Sequence, residues 1–343
     1  MSLLEVFHEN APFLIAEVGQ NHDGSLGMCH AYIDALADVG VDAIKFQTHI
    51  AAEESTVDDA FRVNFSYQDS TRFDYWRRME FTEGQWLELK KHADERGIAF
   101  LSTPFSVAAV DLLERIGLAG WKIGSGDVLA EDMLDAILAT GKPMIVSTGM
   151  SSWSEIDRIV GRLTDRQADF ALMQCTSQYP TPLSNVGLNV LTELRMRYGC
   201  RVGLSDHSGT TTAPLLAIAR GFGMIEVHAT FDRRMFGPDV SVSLTIEEIA
   251  QLVRFMSEMR EIDANPVDKD EMAEFLGEQK VLFSRSLALR EDRKAGHQLC
   301  FDDLVQRKPG GGLAWDQRQY LVGKTLRWDV PANRLLRPED MEK

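Results

Sequence analysis

Two histidines each close an apolar run and stand among polar groups. His207 follows Val202-Gly203-Leu204-Ser205-Asp206, and His228 ends Met224-Ile225-Glu226-Val227-His228. Each run reads as a short buried strand that terminates in an imidazole. Carboxylates Glu17, Asp206, Glu226 and Asp239 lie near them in sequence or at the same rim. Two imidazoles with oxygen ligands favour Mn2+, Fe2+ or Co2+ over a closed structural zinc site, and leave positions open for substrate. The plainer alternative is a pair of histidines that only hydrogen-bond at the mouth of a barrel. His22, His49, His92 and His297 carry weaker cases, and His92 reads most simply as an exposed helical residue.

A second set of residues sits at the ends of other strand-like runs. Lys45, Thr103, Lys122, Ser125, Ser147 and Ser205 together make a ring of cations and hydroxyl donors. Such a ring suits a phosphate and a carboxylate, whose fixed oxygens need several converging donors. The Gly124-Ser125-Gly126 and Ser147-Thr148-Gly149 turns add backbone amides. Taken singly, a Ser or Thr after a strand is a turn residue and a Lys is a surface strand end; the joint occurrence is what points to chemistry. Lys122 also raises Schiff-base chemistry. Against that, a hydroxyl-rich anion site keeps a lysine protonated, whereas imine formation needs a lowered pKa.

The elements that must position these residues follow from periodicity. Candidate strands are Phe13–Val18, Ala43–Gln47, Ala99–Ser102, Gly120–Ile123, Pro143–Ser147, Phe170–Cys175, Arg201–Leu204 and Met224–His228. Most neighbours are roughly 20 to 30 residues apart, the span of one βα unit. Between them, Ser25–Val39 repeats apolar Met28, Tyr32, Leu36 and Val39 at helical spacing, and Glu83–Arg96 is similar. About eight such units in some 250 residues are expected of a (β/α)8 TIM barrel, whose active site lies where the strands' C-terminal ends meet the following loops. A doubly wound open sheet is the alternative, but the turn after the first strand lacks the Gly-x-Gly-x-x-Gly pattern that often marks it. One connection, Thr48–Thr82, is long and rich in aromatic and charged residues. It is expected either to cover the active site or to pack as an extra helix on the barrel side.

Composition bounds the rest. The chain has 343 residues, long enough for one large domain and a small one, with 44% hydrophobic and 26% charged residues. A net charge of −16 argues against nucleic-acid or anionic-membrane partners. No apolar run reaches membrane-spanning length, and Met1-Ser2-Leu3-Leu4-Glu5 lacks a signal-peptide layout. Cys29, Cys175, Cys200 and Cys300 show no Cys-x-x-Cys pairing, so a zinc or disulfide framework is not expected. A soluble cytoplasmic protein is the expectation. Residues 1–262 read as the barrel, 263–281 as a charged, partly helical linker, and 282–343 as a small β-rich module. In that module Gly296–Leu304 echoes Asn333–Met341, which suggests two related half-units.

These motifs resemble the sialic acid synthase family, whose relatives include spore-coat polysaccharide and legionaminic or pseudaminic acid synthases. The resemblance rests on Ile15-Ala16-Glu17-Val18-Gly19-Gln20-Asn21-His22-Asp23-Gly24, Lys45-Phe46-Gln47-Thr48, Ser102-Thr103-Pro104-Phe105 and Lys122-Ile123-Gly124-Ser125-Gly126. It continues through Ser147-Thr148-Gly149-Met150, Cys175-Thr176-Ser177-Gln178-Tyr179-Pro180, Ser205-Asp206-His207 and Gly237-Pro238-Asp239, in order along nearly the whole chain. It implies a transferase that condenses phosphoenolpyruvate with an N-acylated aminohexose. Lys45, Thr103, Lys122, Ser125, Ser147 and Ser205 would hold phosphoenolpyruvate. His207 and His228 would bind Mn2+, or another divalent ion such as Mg2+ or Co2+. Glu17, Gln47, Tyr179 and Asp239 would orient the sugar or the attacking water, with Glu17 handling the proton. The tail resembles the family's antifreeze-like (SAF) domain, which implies a domain-swapped homodimer capped by the partner's module.

Four features depart from the family pattern. The capping motif reads Arg307-Lys308-Pro309-Gly310, with lysine before proline, and lysine cannot copy arginine's planar fork. Arg307 is the alternative residue for that contact with the sugar. Val227 stands where a basic residue is usual, Ser177 where some members place asparagine, and the Thr48–Thr82 connection is unusually long. All lie on or near the sugar side, so the expectation is the same reaction on a different acceptor. The competing readings are a pyruvate aldolase using Lys122 and a non-catalytic sugar-acid binding module.

Overall fold

The computed structural model describes residues 12–61 and 64–342, so the Met1–Glu5 stretch lies outside the described residues. The chain divides into two compact units, Met1–Ile262 and Asp263–Lys343.

In the first unit eight parallel strands alternate with helices. They are β1 (Phe13–Glu17), β2 (Ala43–Thr48), β3 (Ala99–Pro104), β4 (Trp121–Ile123), β5 (Met144–Ser147), β6 (Phe170–Cys175), β7 (Arg201–Asp206) and β8 (Met224–Thr230). Their hydrogen-bonded order is β3-β2-β1-β8-β7-β6-β5-β4, and β3 and β4 lie side by side, which makes a near-closed (β/α)8 barrel. A short β9 (Ser243–Thr245) adds in parallel to the end of β8. All eight strands expected from the sequence are present, Phe170–Cys175 with the expected bounds and the other seven with one end shifted by one or two residues. Helix starts follow local chemistry. Ser25 caps Leu26–Val39 by accepting from the Met28 N–H, and Gly40, with φ of 83°, ends it in the left-handed region. Thr82 with Gln85, and Ser152 with Glu155, form capping boxes at Glu83–Glu95 and Trp153–Asp165.

Strand parity sorts the side chains. Leu14, Ala16, Ile44, Phe46, Ile225 and Val227 pack outward in one cluster with the helices. Phe13, Ile15, Ala43, Leu101, Ile145, Ala171, Met173 and Met224 form a separate cluster inside the barrel. Continuing the inward parity along each strand replaces this apolar plug with Glu17, Lys45, Gln47, Thr103, Ser147, Ser205, Glu226 and His228. The interior is therefore apolar at one end and polar at the C-terminal end.

The long connection contains short helices at Ala51–Glu54 and Arg72–Met79. Among the described residues no helix is long and apolar enough to cross a membrane.

The second unit begins with helices Lys269–Phe275 and Gly277–Phe283, followed by an antiparallel pair, β10 (Ser286–Leu289) and β11 (Leu304–Arg307). Its core gathers Leu287, Leu289, Leu299, Leu304, Leu326, Val330, Leu336 and Met341. The sequence echo is structural. Asp303 accepts from the Cys300 N–H and Asp340 from the Arg337 N–H, each at 2.8 Å across a short 3-10 turn. Arg293 and Arg334 each hold one of these buried carboxylates through an ion pair of 2.7 Å.

Candidate active site

Two clusters meet at the polar end of the barrel. In the first, the Lys122 ammonium donates to both Glu226 oxygens at 2.7 and 2.9 Å, and Ser205 donates to the same carboxylate at 3.2 Å. Lys45 donates to Thr103 at 3.2 Å, lies 3.7 Å from Glu226 and pairs closely with Glu17. Gln47 donates to Glu17 at 2.9 Å. All of these ionic groups are buried. Burial alone would raise the Glu226 carboxyl, but Lys122 and Lys45 pull it down to about 2. Burial lowers Lys122 despite Glu226, whereas Glu17 and Glu226 outweigh burial at Lys45 and raise it.

The second cluster is aromatic and imidazole-rich. The His207 and His228 rings stand 5.2 Å apart. The Tyr179 hydroxyl lies 2.9 Å from His207 Nε2, and Cys175 Sγ lies 3.5 Å from His207 Nδ1. Burial, reinforced by His228, lowers the His207 pKa to about 3, so its imidazole is neutral. Asp239 Oδ2 is 3.9 Å from His228 Nδ1 and accepts from the Gln20 N–H at 2.8 Å. His228 Nδ1 is itself buried and has no hydrogen-bond partner among the described residues. Among the described residues no three His, Cys, Asp or Glu side chains are gathered as a ready metal cage.

The remaining sequence-chosen residues divide between the two units. Ser125 accepts from the Gly149 N–H at 3.0 Å, and Ser177 Oγ lies 4.0 Å from Cys175 Sγ. The Ser147 hydroxyl is buried and has no hydrogen-bond partner among the described residues. Gly149 leaves the space that Ser125, Cys175 and Ser177 fill; an added Cβ would stand 2.6 to 2.8 Å from all three side chains. Arg307 is an exposed residue of β11 in the second unit.

A cavity of about 650 Å3 opens beside the imidazoles. Its inner end is formed by Gln20, Gln47, Tyr179, His228 and Asp239. Its outer wall comes largely from the long connection, through Glu54, Asp59, Phe61, Phe65, Arg72 and Trp76. The connection thus lines the site, and two of its short segments are helical.

The sequence reading gave His49 only a weak case and did not single out Asp127. His49 is stacked between Trp76 and Phe105, with ring centroids 4.1 and 4.6 Å away, and its Nδ1 meets Glu54 at 2.8 Å. Its Nε2 lies 3.1 Å from Gln20 and 3.3 Å from Gln47, so it braces the side chain that reaches Glu17. Asp127 lines the same cavity, and burial followed by repulsion from Glu54 raises its carboxyl to about 6. For Asp127 the available signal was its place just after Gly124-Ser125-Gly126. Glu226, noted in the sequence as a carboxylate near a metal site, faces the lysines instead.

A family model described as the NeuB family matches residues 32–267. The chain is 31% identical over 338 residues to N,N'-diacetyllegionaminic acid synthase of Legionella pneumophila, covering 96% of this chain and 94% of that protein. It is also 31% identical over 246 residues to human N-acetylneuraminate-9-phosphate synthase, covering 71% and 68%. The crystal structure of N-acetylneuraminic acid (sialic acid) synthetase from Leptospira borgpetersenii, in complex with citrate, superposes with a TM-score of 0.69 at 31% identity, covering 79% of this chain and 92% of that one. The order of motifs, the barrel that carries them and these matches agree: the chain belongs to the NeuB family.

Proposed function

We propose that this protein condenses phosphoenolpyruvate with the aldehyde of an open-chain N-acylated aminohexose, N-acetylmannosamine or a related sugar. The products are a nine-carbon 2-keto sugar acid and free phosphate. The observation that carries this reading is the placement of Glu226 and His228. They are two residues apart on β8 and point inward, so the lysine–hydroxyl cluster and the imidazole pair adjoin.

Lys45, Lys122, Thr103, Ser125, Ser147 and Ser205 supply donors for a carboxylate and a phosphate. In the free protein Glu226 and Glu17 hold the two ammonium groups charged and in place. Phosphoenolpyruvate binding rearranges those pairs around its own oxygens. Carbon 3 of phosphoenolpyruvate then forms a bond to the aldehyde carbon, whose oxygen becomes a hydroxyl. Water adds at carbon 2, and the tetrahedral intermediate expels phosphate to leave the ketone. Glu17, held by Lys45 and Gln47, handles the proton. Gln47, Tyr179 and Asp239 orient the sugar and the water.

A divalent ion fits the donor set, because His207 is neutral and His228 Nδ1 is buried and unpartnered. Mn2+, or a similar ion such as Mg2+ or Co2+, would be held by His207 and His228 and would act as a Lewis acid on the aldehyde oxygen. The reading extends to a cytoplasmic homodimer in which the small module, an antifreeze-like domain, caps the partner's barrel. The exposed Met272, Phe275, Leu282 and Phe283 support such an association.

The test is inorganic phosphate release from phosphoenolpyruvate with Mn2+ and a panel of N-acyl hexosamines, against an EDTA control. Metal-dependent release with at least one sugar is expected. Absence of release with every sugar, from folded protein, would overturn the proposal.

A further inference from the structure

The two oxygens of Glu17, which handles the proton in the proposed reaction, are held differently. Oε2 pairs closely with the Lys45 ammonium, while Oε1 accepts from the Gln47 side chain at 2.9 Å. Phosphoenolpyruvate is proposed to draw Lys45 toward its own oxygens. Gln47 then becomes the contact that keeps Glu17 in place, so whatever fixes Gln47 bears on the chemistry.

Gln20, in the turn after β1, is the residue that does so. Its amide nitrogen donates to Gln47 Oε1 at 2.6 Å, and the same nitrogen lies 3.1 Å from His49 Nε2. Its Oε1 accepts from the Tyr75 hydroxyl at 3.3 Å, and its backbone N–H donates to Asp239 Oδ2 at 2.8 Å. Gln20, His49 and Tyr75 are all buried. His49 opens the long connection and Tyr75 lies toward its end. One side chain thus joins both ends of the connection to Gln47, and its backbone reaches Asp239. The backbone arm is equally tight. Gly19 has φ of 51°, and a Cβ there would stand 2.5 Å from Asp239 Oδ2.

The polarity of these bonds selects one arrangement. Glu54 faces His49 Nδ1 at 2.8 Å, which assigns the imidazole proton to Nδ1 and leaves Nε2 as an acceptor. Nε2 then receives one N–H of Gln20, and Gln47 Oε1 receives the other. His49 Nε2 and Gln47 Oε1 also stand 3.3 Å apart, two acceptors that share the Gln20 amide. Turning the Gln20 amide over would set its oxygen against the Gln47 oxygen and the His49 lone pair. Turning both glutamines over would set the Gln47 oxygen against Glu17. Each mismatch leaves a buried polar group unsatisfied, which costs more than an ordinary hydrogen bond contributes. Stacking between Trp76 and Phe105 keeps the His49 ring from turning.

We infer that Gln20 is a positioning residue for the condensation. It carries the hydrogen-bond polarity set by Glu54 and His49 to Gln47, and so holds Glu17 once Lys45 turns to the substrate. The inference rests on the proposed reaction for the role of Glu17.

The experiment uses variants of the full-length protein. Gln20→Met keeps the length of the side chain without its amide, and His49→Phe keeps the aromatic stack without its nitrogens. Each should lower kcat for phosphate release by at least about tenfold, while calorimetric binding of phosphoenolpyruvate changes by less than about twofold. Because both act through one chain of bonds, the double variant should be no more than about threefold slower than the slower single one. His49→Gln, whose amide oxygen can stand in for Nε2, should recover most of the rate lost in His49→Phe. Losses that multiply, weaker phosphoenolpyruvate binding that accounts for the slower rate, or no recovery in His49→Gln would overturn the inference. Should Gln20→Met fail to fold, the two His49 variants carry the same decision. If no sugar is turned over, the condensation reading fails separately, and nitrogen-15 spectra of histidine-labelled, metal-free protein decide whether Gln20 holds this chain of bonds. An Nδ1–H tautomer at His49 is expected, with an Nε2 resonance that moves downfield in Gln20→Met. An Nε2–H tautomer, or an Nε2 resonance that stays in place, overturns it.

Discussion

Lys122 and Glu226 meet inside the barrel as a buried bidentate pair, although 104 residues separate them in the chain. The Glu226 carboxylate also accepts from Ser205 and lies near Lys45, so it is a counter-ion to both buried lysines. Removing one partner of a buried pair leaves a charge without compensation, which typically costs about 3–5 kcal/mol. Glu226→Ala should therefore unfold at a markedly lower temperature than the native chain. Phosphoenolpyruvate, as a replacement anion, should raise the melting temperature more in the variant than in the native protein. Equal shifts in both would mean that the lysines do not hold this ligand.

In the proposed reaction His207 and His228 would supply two nitrogens to a divalent ion. His228→Ala should lower the Mn2+ bound at equilibrium by at least about tenfold, measured by electron paramagnetic resonance of free Mn2+. Circular dichroism should be unchanged. Full Mn2+ affinity in the variant would remove His228 from the ligand set.

Imine chemistry at Lys122 is the rival use of a buried lysine that burial has pushed down. The bidentate bond to Glu226 keeps it an ammonium. Pyruvate with borohydride should leave the protein mass unchanged. A stable adduct mapped to Lys122 would favour the aldolase instead.

Asp127 links stability to pH. Its carboxyl is raised to about 6 in the folded chain, so the protonated form is the one that folding favours. The sign follows from linkage: its contribution is fully present below the ordinary carboxylate pKa and is lost as pH rises through about 6. Asp127→Asn should thus stabilise the protein at pH 7.5, by about 1 kcal/mol after solvent screening, with the gain fading toward pH 4. Melting curves at the two pH values would show it, and a loss of stability at pH 7.5 would contradict it.

Gly149 is required by space rather than by backbone conformation. An alanine Cβ would lie 2.6 Å from Ser177 Oγ, 2.7 Å from Cys175 Sγ and 2.8 Å from Ser125 Oγ. Overpacking of this kind costs about 1–3 kcal/mol. Gly149→Ala should displace Ser125 and raise the KM for phosphoenolpyruvate about tenfold, with little change in the KM for the sugar. Steady-state kinetics with each substrate varied in turn would separate the two effects.

The alternating apolar runs were enough to place all eight barrel strands, because each strand's parity is written in its own few residues. Glu17, Lys45, Thr103, Ser205 and His228 could be picked out on the same ground: each is a polar residue at or near the C-terminal end of a locally recognisable strand. The echo around Asp303 and Asp340 was also local, since each carboxylate caps a turn three residues away. Register across the barrel was not local. That Glu226 turns to the lysines follows only when β8 and β4 face one another across the closed interior. The stacking of His49 between Trp76 and Phe105, and the meeting of Glu54, Asp59 and Asp127 in one cavity, depend on where a long connection folds back over the barrel mouth. No short stretch encodes that path, because its energy comes from burial against distant strands rather than from any repeat in its own residues. The sequence thus determined the barrel, its polar end and the family of its motifs. Tertiary closure decided which charges are paired, how the two imidazoles stand to one another, and which acidic and aromatic residues share one cavity.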